Sequence, residues 1–240
     1  MSLLARDEIS LSHISMPSPV GAGLSADMLT RRFSRPAKAP EKVTYELTRD
    51  AGYLFQYYRL REEMFISVWG LEQFNGQKEE YDDVSDIMIA RIGNHVIGGC
   101  RLTFSTPGQR RLLPMEKENF NLREQFADLH LEAHTYVEIS RMAILPEYQN
   151  SLVMLELSRQ LLKRGAEKHA RYAFTLSPTT LARNYRKAAM LFGLKWNILN
   201  NIEIPDREEY EGIKMVMSML DLEAAYAPQA ETQVAESLEG

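Results

Sequence analysis

The chain has 240 residues, 45% of them hydrophobic and 25% charged, enough for one well-packed domain and short for two. Its net charge of -5 argues against a dedicated nucleic-acid binder, and the single Cys100 excludes an internal disulfide or a thiolate metal site built from cysteines. No apolar run approaches the roughly 18 to 20 residues of a membrane span, and the start MSLLARDEIS lacks a basic segment followed by an apolar core, so a soluble, cytoplasmic protein without a membrane span is expected.

Residues 1–41 mix Ser, Pro, Gly and Arg without a sustained period and end in Ser34-Arg35-Pro36-Ala37-Lys38-Ala39-Pro40, which predicts a flexible, mildly basic arm. Val43 to Leu47 reads as a strand. Asp50 then caps a helix in which Leu54, Tyr57, Tyr58, Arg61 and Phe65 recur at helical spacing as far as Trp69-Gly70. Two apolar runs, Ser85 to Ile92 and Val96 to Phe104, are joined by Gly93-Asn94-His95 and predict a hairpin. A short helix over Met115 to Leu129 comes next, then a strand from Thr135 to Leu145 and a turn over Pro146 to Ser151. A long helix from Leu152 to about His169 leads into a strand from Tyr172 to Leu176. Pro178 opens another helix that closes at Gly193, and Lys214 to Leu222 forms the last strand. Residues 223–240 carry Glu231, Glu236 and Glu239 with no Lys or Arg and predict an acidic disordered tail. Strands alternating with helices in this order predict an α/β (α+β) fold, one mixed central sheet flanked by helices, over residues 42–222.

The densest chemical pattern is Tyr136-Val-Glu-Ile-Ser-Arg-Met-Ala-Ile144. On a regular strand Glu138 and Ser140 share one face and Arg141 takes the other, unless a bulge re-aims it. A carboxylate in mid-sheet costs desolvation unless it is paired or used, which makes Glu138 a candidate base; a structural ion pair with Arg101 is the plain alternative. Upstream, Glu79-Glu80-Tyr81-Asp82-Asp83 gathers acids that could hold an ammonium group, against the ordinary reading of a solvated loop. Arg61 and Phe65 stand one helical turn apart, and Gly98-Gly99-Cys100-Arg101 puts an Arg on the second hairpin strand.

Arg61-x-x-x-Phe65, Glu79-x-x-Asp82, Gly99-Cys-Arg101 and Glu138-Ile-Ser-Arg141, taken as one ordered series, resemble the acyl-homoserine-lactone synthases and the long-chain N-acyl amino acid synthases of the GNAT superfamily. The resemblance spans roughly residues 43 to 222 and is most specific at the Glu-Ile-Ser-Arg strand followed by Met-Ala-Ile. It implies a GNAT-like fold and transfer of a fatty acyl group from acyl-carrier protein to an amine: S-adenosylmethionine in the first family, an amino acid in the second. The product is then an N-acyl-homoserine-lactone signal or an N-acyl amino acid. By position it assigns Glu138, Arg141 and Ser140 to catalysis and Arg61, Phe65, Glu79, Asp82 and Arg101 to the amine substrate. The series departs from the lactone-synthase pattern at Glu79, where that family has Asp.

The donor is expected to be an acyl-phosphopantetheine, with no permanently bound cofactor. Acetyl-CoA users join strand and helix here by a glycine-rich turn whose amides face the pyrophosphate, whereas Tyr148-Gln-Asn-Ser-Leu-Val-Met154 has no glycine. Carrier-bound acyl is therefore preferred to free acyl-CoA. Leu191-Phe-Gly-Leu194 resembles the acetyltransferase ending in which a Tyr four residues before the Gly protonates the thiolate, but Ala189 stands there, and Tyr185 one turn earlier reads as structural. Arg159, Lys163, Arg164 and Lys168 cluster on an otherwise acidic protein and could steer an acidic carrier protein, against the reading of a solvated helix face. Phe104, Phe120, Phe126, Met142 and Phe174 could line an acyl tunnel, although core packing is their default reading. No motif supports metal ligation. The expected mechanism is direct amine attack on the thioester with Glu138 as base and strand amides after Arg141 holding the oxyanion. The rival readings are an acetyl-CoA-dependent N-acetyltransferase and a silent binding or sensor module on the same fold.

Overall fold

The computed structural model describes residues 42–223 apart from 110, 118, 150, 151 and 192. The expected arm over 1–41 and nearly all of the expected tail over 223–240 therefore lie outside the described residues. The elements are β1 (Val43–Leu47), α1 (Ala51–Trp69), β2 (Asp86–Ile92), β3 (His95–Ser105), α2 (Leu122–Gln125), β4 (Thr135–Ile144), α3 (Leu152–Glu167), β5 (Ala170–Pro178), α4 (Thr179–Leu191), β6 (Trp196–Leu199) and β7 (Met215–Asp221). They build one seven-stranded mixed sheet in the order β1-β2-β3-β4-β5-β7-β6, in which β4 and β5 run parallel and the other neighbours antiparallel.

Local chemistry sets most element ends. The Asp50 carboxylate accepts the Tyr53 N–H at 2.9 Å and starts α1, and Gly70 at φ 70° ends it in the left-handed conformation that glycine takes without a Cβ penalty. Alternation along β2 sends Ile87 and Ile89 under α1, and Met88 and Ala90 toward α3. The two helical layers therefore cover opposite faces. Tyr57, Leu60 and Met64 bring α1 onto one face, while Val153, Leu157 and Leu161 of α3 and Tyr185 and Ala189 of α4 close the other. A further apolar cluster around Leu113, Leu122, Phe174 and Met217 fixes the long connection between β3 and β4 on the α1 side. Among the described residues, no helix is long and apolar enough to cross a membrane.

Three sequence expectations are corrected. The helix expected over Met115 to Leu129 shrinks to α2 and short 3-10 turns, because the Glu116 carboxylate accepts the N–H groups of Leu113 and Leu122, at 2.9 and 3.1 Å, and holds the chain in a loop. Pro178 pairs with Met215 as the last residue of β5 instead of opening α4. β6 has no counterpart in the sequence reading: only four residues long, it is defined by pairing with β7.

Candidate active site

β4 and β5 pair from Thr135↔Ala170 only as far as Glu138↔Phe174, although both strands continue. Beyond Glu138 they part. The fork opens a cavity with about 670 Å³ of non-atom space continuous with solvent, lined by Glu138 to Met142 on one prong and Thr175 to Pro178 on the other.

Between Gly99 and Arg101 the β3–β4 register shifts, and Arg141 sits at φ 55°. One extra residue on β4 forms a β-bulge, and the bulge inverts which residues face which layer. Before it Val137 and Ile139 join the α3/α4 core; after it Met142 and Ile144 do, while Ala143 packs under α1. Glu138, Ser140 and Arg141 consequently all reach the same cavity. The strict alternation that would place Arg141 behind the sheet does not hold, and the bulge is the reason. The Tyr57 hydroxyl donates to the Arg141 carbonyl at 2.7 Å, and Gly99 leaves room for that ring, since a Cβ there would lie 2.8 Å from it.

Glu138 is buried and makes no ion pair among the described residues; the Met115 N–H donates to its Oε2 at 2.7 Å. Burial pushes its carboxyl up to about 7 against the opposing pull of Arg101, the Met115 N–H, Arg141 and Arg207. The alternative of a Glu138–Arg101 ion pair is not realised, because Arg101 is taken by Glu79 at 2.6 Å, Asp82 at 3.1 Å and the Ser140 hydroxyl at 3.3 Å.

Glu79 is the hub of the surrounding charges. Its carboxylate receives Arg101 and, at 2.9 Å, Arg141, with Arg61 3.9 Å away. Burial would raise its carboxyl, but the three guanidiniums outweigh burial and hold it at about 2. Arg141 also binds Glu209 at 2.7 Å and Tyr210, and its guanidinium lies 5.3 Å from the centre of Phe74, which stacks on Phe65. Arg61 and Asp82 are fully buried as an ion pair at 3.2 Å beneath this layer. Arg61 also donates to the carbonyls of Gly76 and Gln77, and a Cβ on Gly76 would stand 2.3 Å from Glu62 Cβ.

Of the residues assigned to the amine from the sequence, Phe65 and Arg101 line the cavity, whereas Arg61, Glu79 and Asp82 stand behind its wall and position Arg101 and Arg141. Both arginines already hold protein carboxylates, Arg101 those of Glu79 and Asp82 and Arg141 those of Glu79 and Glu209. Of the basic residues assigned to carrier docking, Arg159, Lys163 and Arg164 lie on α3 and Lys168 directly follows it, with Lys163 about 16 Å along the axis from the helix start at a rise of about 1.5 Å per residue. That end adjoins the closed end of the β4/β5 pair, away from the fork. Arg159 binds Glu156, and Arg164 binds Asp86 and Glu167, while Lys163 and Lys168 are exposed.

Sequence reading missed Met115, Arg207, Glu209 and Tyr210, which line the cavity or hold its charges. They lie on irregular segments, where no periodicity marks a buried side chain; the close run Arg207-Glu208-Glu209-Tyr210 was the one available signal.

Two further spaces adjoin the cavity. An apolar chamber with about 400 Å³ of non-atom space, continuous with solvent, shares Ile139, Thr175 and Tyr185 with it and is lined further by Leu161, Ala189 and Trp196. A groove lined by Met64, Val68, Gln149, Met154 and Asn184 meets it at Trp69, Met142 and Leu181.

Residues 60–159 match the family described as "Acetyltransferase (GNAT) domain". No curated protein matches the chain in sequence. Among solved structures, the AHL synthase LasI is 17% identical with a TM-score of 0.54, over 76% of this chain and 91% of that one. FeeM, an N-acyl amino acid synthase from uncultured soil microbes, is 12% identical with a TM-score of 0.52, over 76% of this chain and 92% of that one. BjaI, a CoA-dependent acyl-homoserine lactone synthase solved with SAM and isopentyl-CoA, is 18% identical with a TM-score of 0.51, over 72% and 77%. The match to a GNAT acetyltransferase domain covers residues 60–159, and the single forked mixed sheet is consistent with a GNAT fold. The chain is similar in fold to AHL synthases and to an N-acyl amino acid synthase.

Proposed function

We propose that the protein is an N-acyltransferase that moves a fatty acyl group from an acyl-phosphopantetheine thioester to the amino group of an amino-acid-type acceptor. Glu138 carries this reading: a buried carboxyl, free of ion pairs among the described residues and held near 7, stands at the fork where a cavity that also carries Arg101, Arg141 and Arg207 meets an apolar chamber. Fatty acyl transfer needs that combination. The tail takes the chamber behind Ile139 and Tyr185, and the pantetheine arm takes the groove between α1 and the starts of α3 and α4, which also points to a carrier protein docking at the fork.

Only a neutral amine is nucleophilic, so Glu138 accepts a proton from the acceptor's ammonium group. The amine nitrogen attacks the thioester carbonyl carbon, and amides released from the β-ladder at the Arg141 bulge donate to the oxyanion. Collapse breaks the C–S bond, and the proton remaining in excess on nitrogen passes to the departing thiolate. Tyr185 does not supply it: buried against Trp196, its hydroxyl is raised well above the usual tyrosine range by burial.

The test offers dodecanoyl-carrier protein, dodecanoyl-CoA and acetyl-CoA to the purified chain with a mixture of amino acids and S-adenosylmethionine, and reads the products by mass spectrometry. Dodecanoyl amides of amino acids are expected. Acetylated products formed in preference to dodecanoyl ones would overturn fatty acyl transfer, and an N-acyl lactone would identify S-adenosylmethionine as the acceptor.

A further inference from the structure

Arg207 is a buried guanidinium that faces the cavity and has no carboxylate partner among the described residues. Its two terminal nitrogens donate to the carbonyls of Pro114, at 3.3 Å, and Met115, while Nε has no hydrogen-bond partner. Arg101 and Arg141, the other cavity-lining arginines, are each offset by carboxylates. A cation taken out of water without a counter-charge is unfavourable, and here the missing partner is an anion that can enter from the cavity.

The position of Arg207 relative to Glu138 specifies that anion. The N–H of Met115 donates to Glu138 and the C=O of the same residue accepts from Arg207. One residue thus holds an acid and a cation on its two sides without letting them pair, and both line the same cavity. A molecule that carries an ammonium and a carboxylate on one carbon complements the two ends: the ammonium meets Glu138, where its proton is removed, and the carboxylate meets Arg207.

We infer that Arg207 anchors the acceptor's carboxylate and thereby selects α-amino acids with a free carboxylate over amines that lack one. The inference rests on the acyl-transfer reading above and adds to it the acceptor class and the residue that decides it. A guanidinium gives two parallel donors to a carboxylate, a geometry that an ammonium or an amide cannot reproduce.

The experiment compares acceptors that differ only in the carboxylate: L-leucine with 3-methylbutylamine, L-phenylalanine with 2-phenylethylamine, and L-ornithine with putrescine, each with dodecanoyl-carrier protein as donor. Wild type is expected to favour at least one amino acid over its amine by about 100-fold in kcat/KM. Arg207→Gln is expected to cut that ratio by about 10- to 100-fold, chiefly through KM for the amino acid, and Arg207→Lys to retain part of it. A ratio left unchanged while both rates fall together would make Arg207 only a brace for Pro114 and Met115 and overturn the inference, as would a wild type indifferent to the carboxylate. Calorimetric binding of the same acceptors to wild type and Arg207→Gln gives a second reading that needs no turnover. Carboxylate-dependent binding lost in the variant supports Arg207 even if no donor reacts, a result that would count against the acyl-transfer reading alone; binding blind to the carboxylate counts against Arg207.

Discussion

Tyr57 and Arg141 are 84 residues apart in the chain, and the hydroxyl of the first donates to the carbonyl of the second at 2.7 Å. That bond satisfies a carbonyl next to the bulge and ties α1 to β4 at the point where the strand reverses its facing. Tyr57→Phe removes the donor and leaves the buried carbonyl unpaired, at a cost of about 1–3 kcal/mol. Urea unfolding is expected to show that loss, with a fall in kcat larger than the change in KM because the bulge carries Arg141. Unfolding and kinetics indistinguishable from wild type would mean that the bulge holds itself.

Glu138→Gln keeps the shape and the bond from Met115 but cannot take a proton. A decrease of about 10² to 10⁴-fold in kcat is expected. In wild type, kcat/KM should rise about tenfold per pH unit below about 7 and level above it, since the base acts only when ionised. The variant should lack that limb.

The same group makes an opposite statement about stability. The folded value of Glu138, about 7, lies above its ordinary value of 4.5, so the folded state binds this proton more tightly than the unfolded state. The contribution is full below about 4.5 and is lost as pH rises through about 7, by up to roughly 3 kcal/mol at 1.36 kcal/mol per unit. Glu79 behaves in the reverse sense: its depressed value, about 2, gives stability that is present above about 4.5 and lost as pH falls toward 2. Denaturant midpoints across pH ~3 to ~8 for wild type, Glu138→Gln and Glu79→Gln separate the two contributions.

Glu79→Gln takes the shared counter-charge from Arg101 and Arg141. Removing one partner of a buried charge network costs about 3–5 kcal/mol, because the remaining charges stay buried. Guanidinium chloride unfolding near neutral pH checks the size. A loss well under ~1 kcal/mol would show that Asp82 and Glu209 suffice to hold the arginines.

Ala189 lines the apolar chamber and belongs to the core between α4 and the sheet. Ala189→Phe places a ring in the space assigned to the acyl tail, so turnover should shift from dodecanoyl toward hexanoyl or shorter donors. An unchanged chain-length profile, measured by competition between donors, would place the tail elsewhere.

The Glu138 strand, the α1 stripe of Tyr57, Arg61 and Phe65 and the strand–helix–strand order of β4, α3 and β5 were legible because each depends on local period and on caps a few residues away. β6 was not legible, because four residues carry too little period to stand out and its existence depends on β7. The helix expected over Met115 to Leu129 failed for a related reason: Glu116 captures the Leu122 N–H, which a helix over that span would have used internally.

By itself the sequence determined the mixed α/β fold, the strand that carries the candidate base, and the set of charges that surrounds it, since residue type and spacing settle which side chains one element presents. Only the tertiary structure decided how those charges are shared. The bulge at Arg141 inverts the facing of β4 and turns Arg141 toward Glu79; burial without an ion pair among the described residues raises the Glu138 carboxyl; and a loop some 70 residues away brings Arg207 to the same cavity. Each of these depends on a register shift, a desolvation or a long-range contact, none of which is a property of neighbouring residues in the chain.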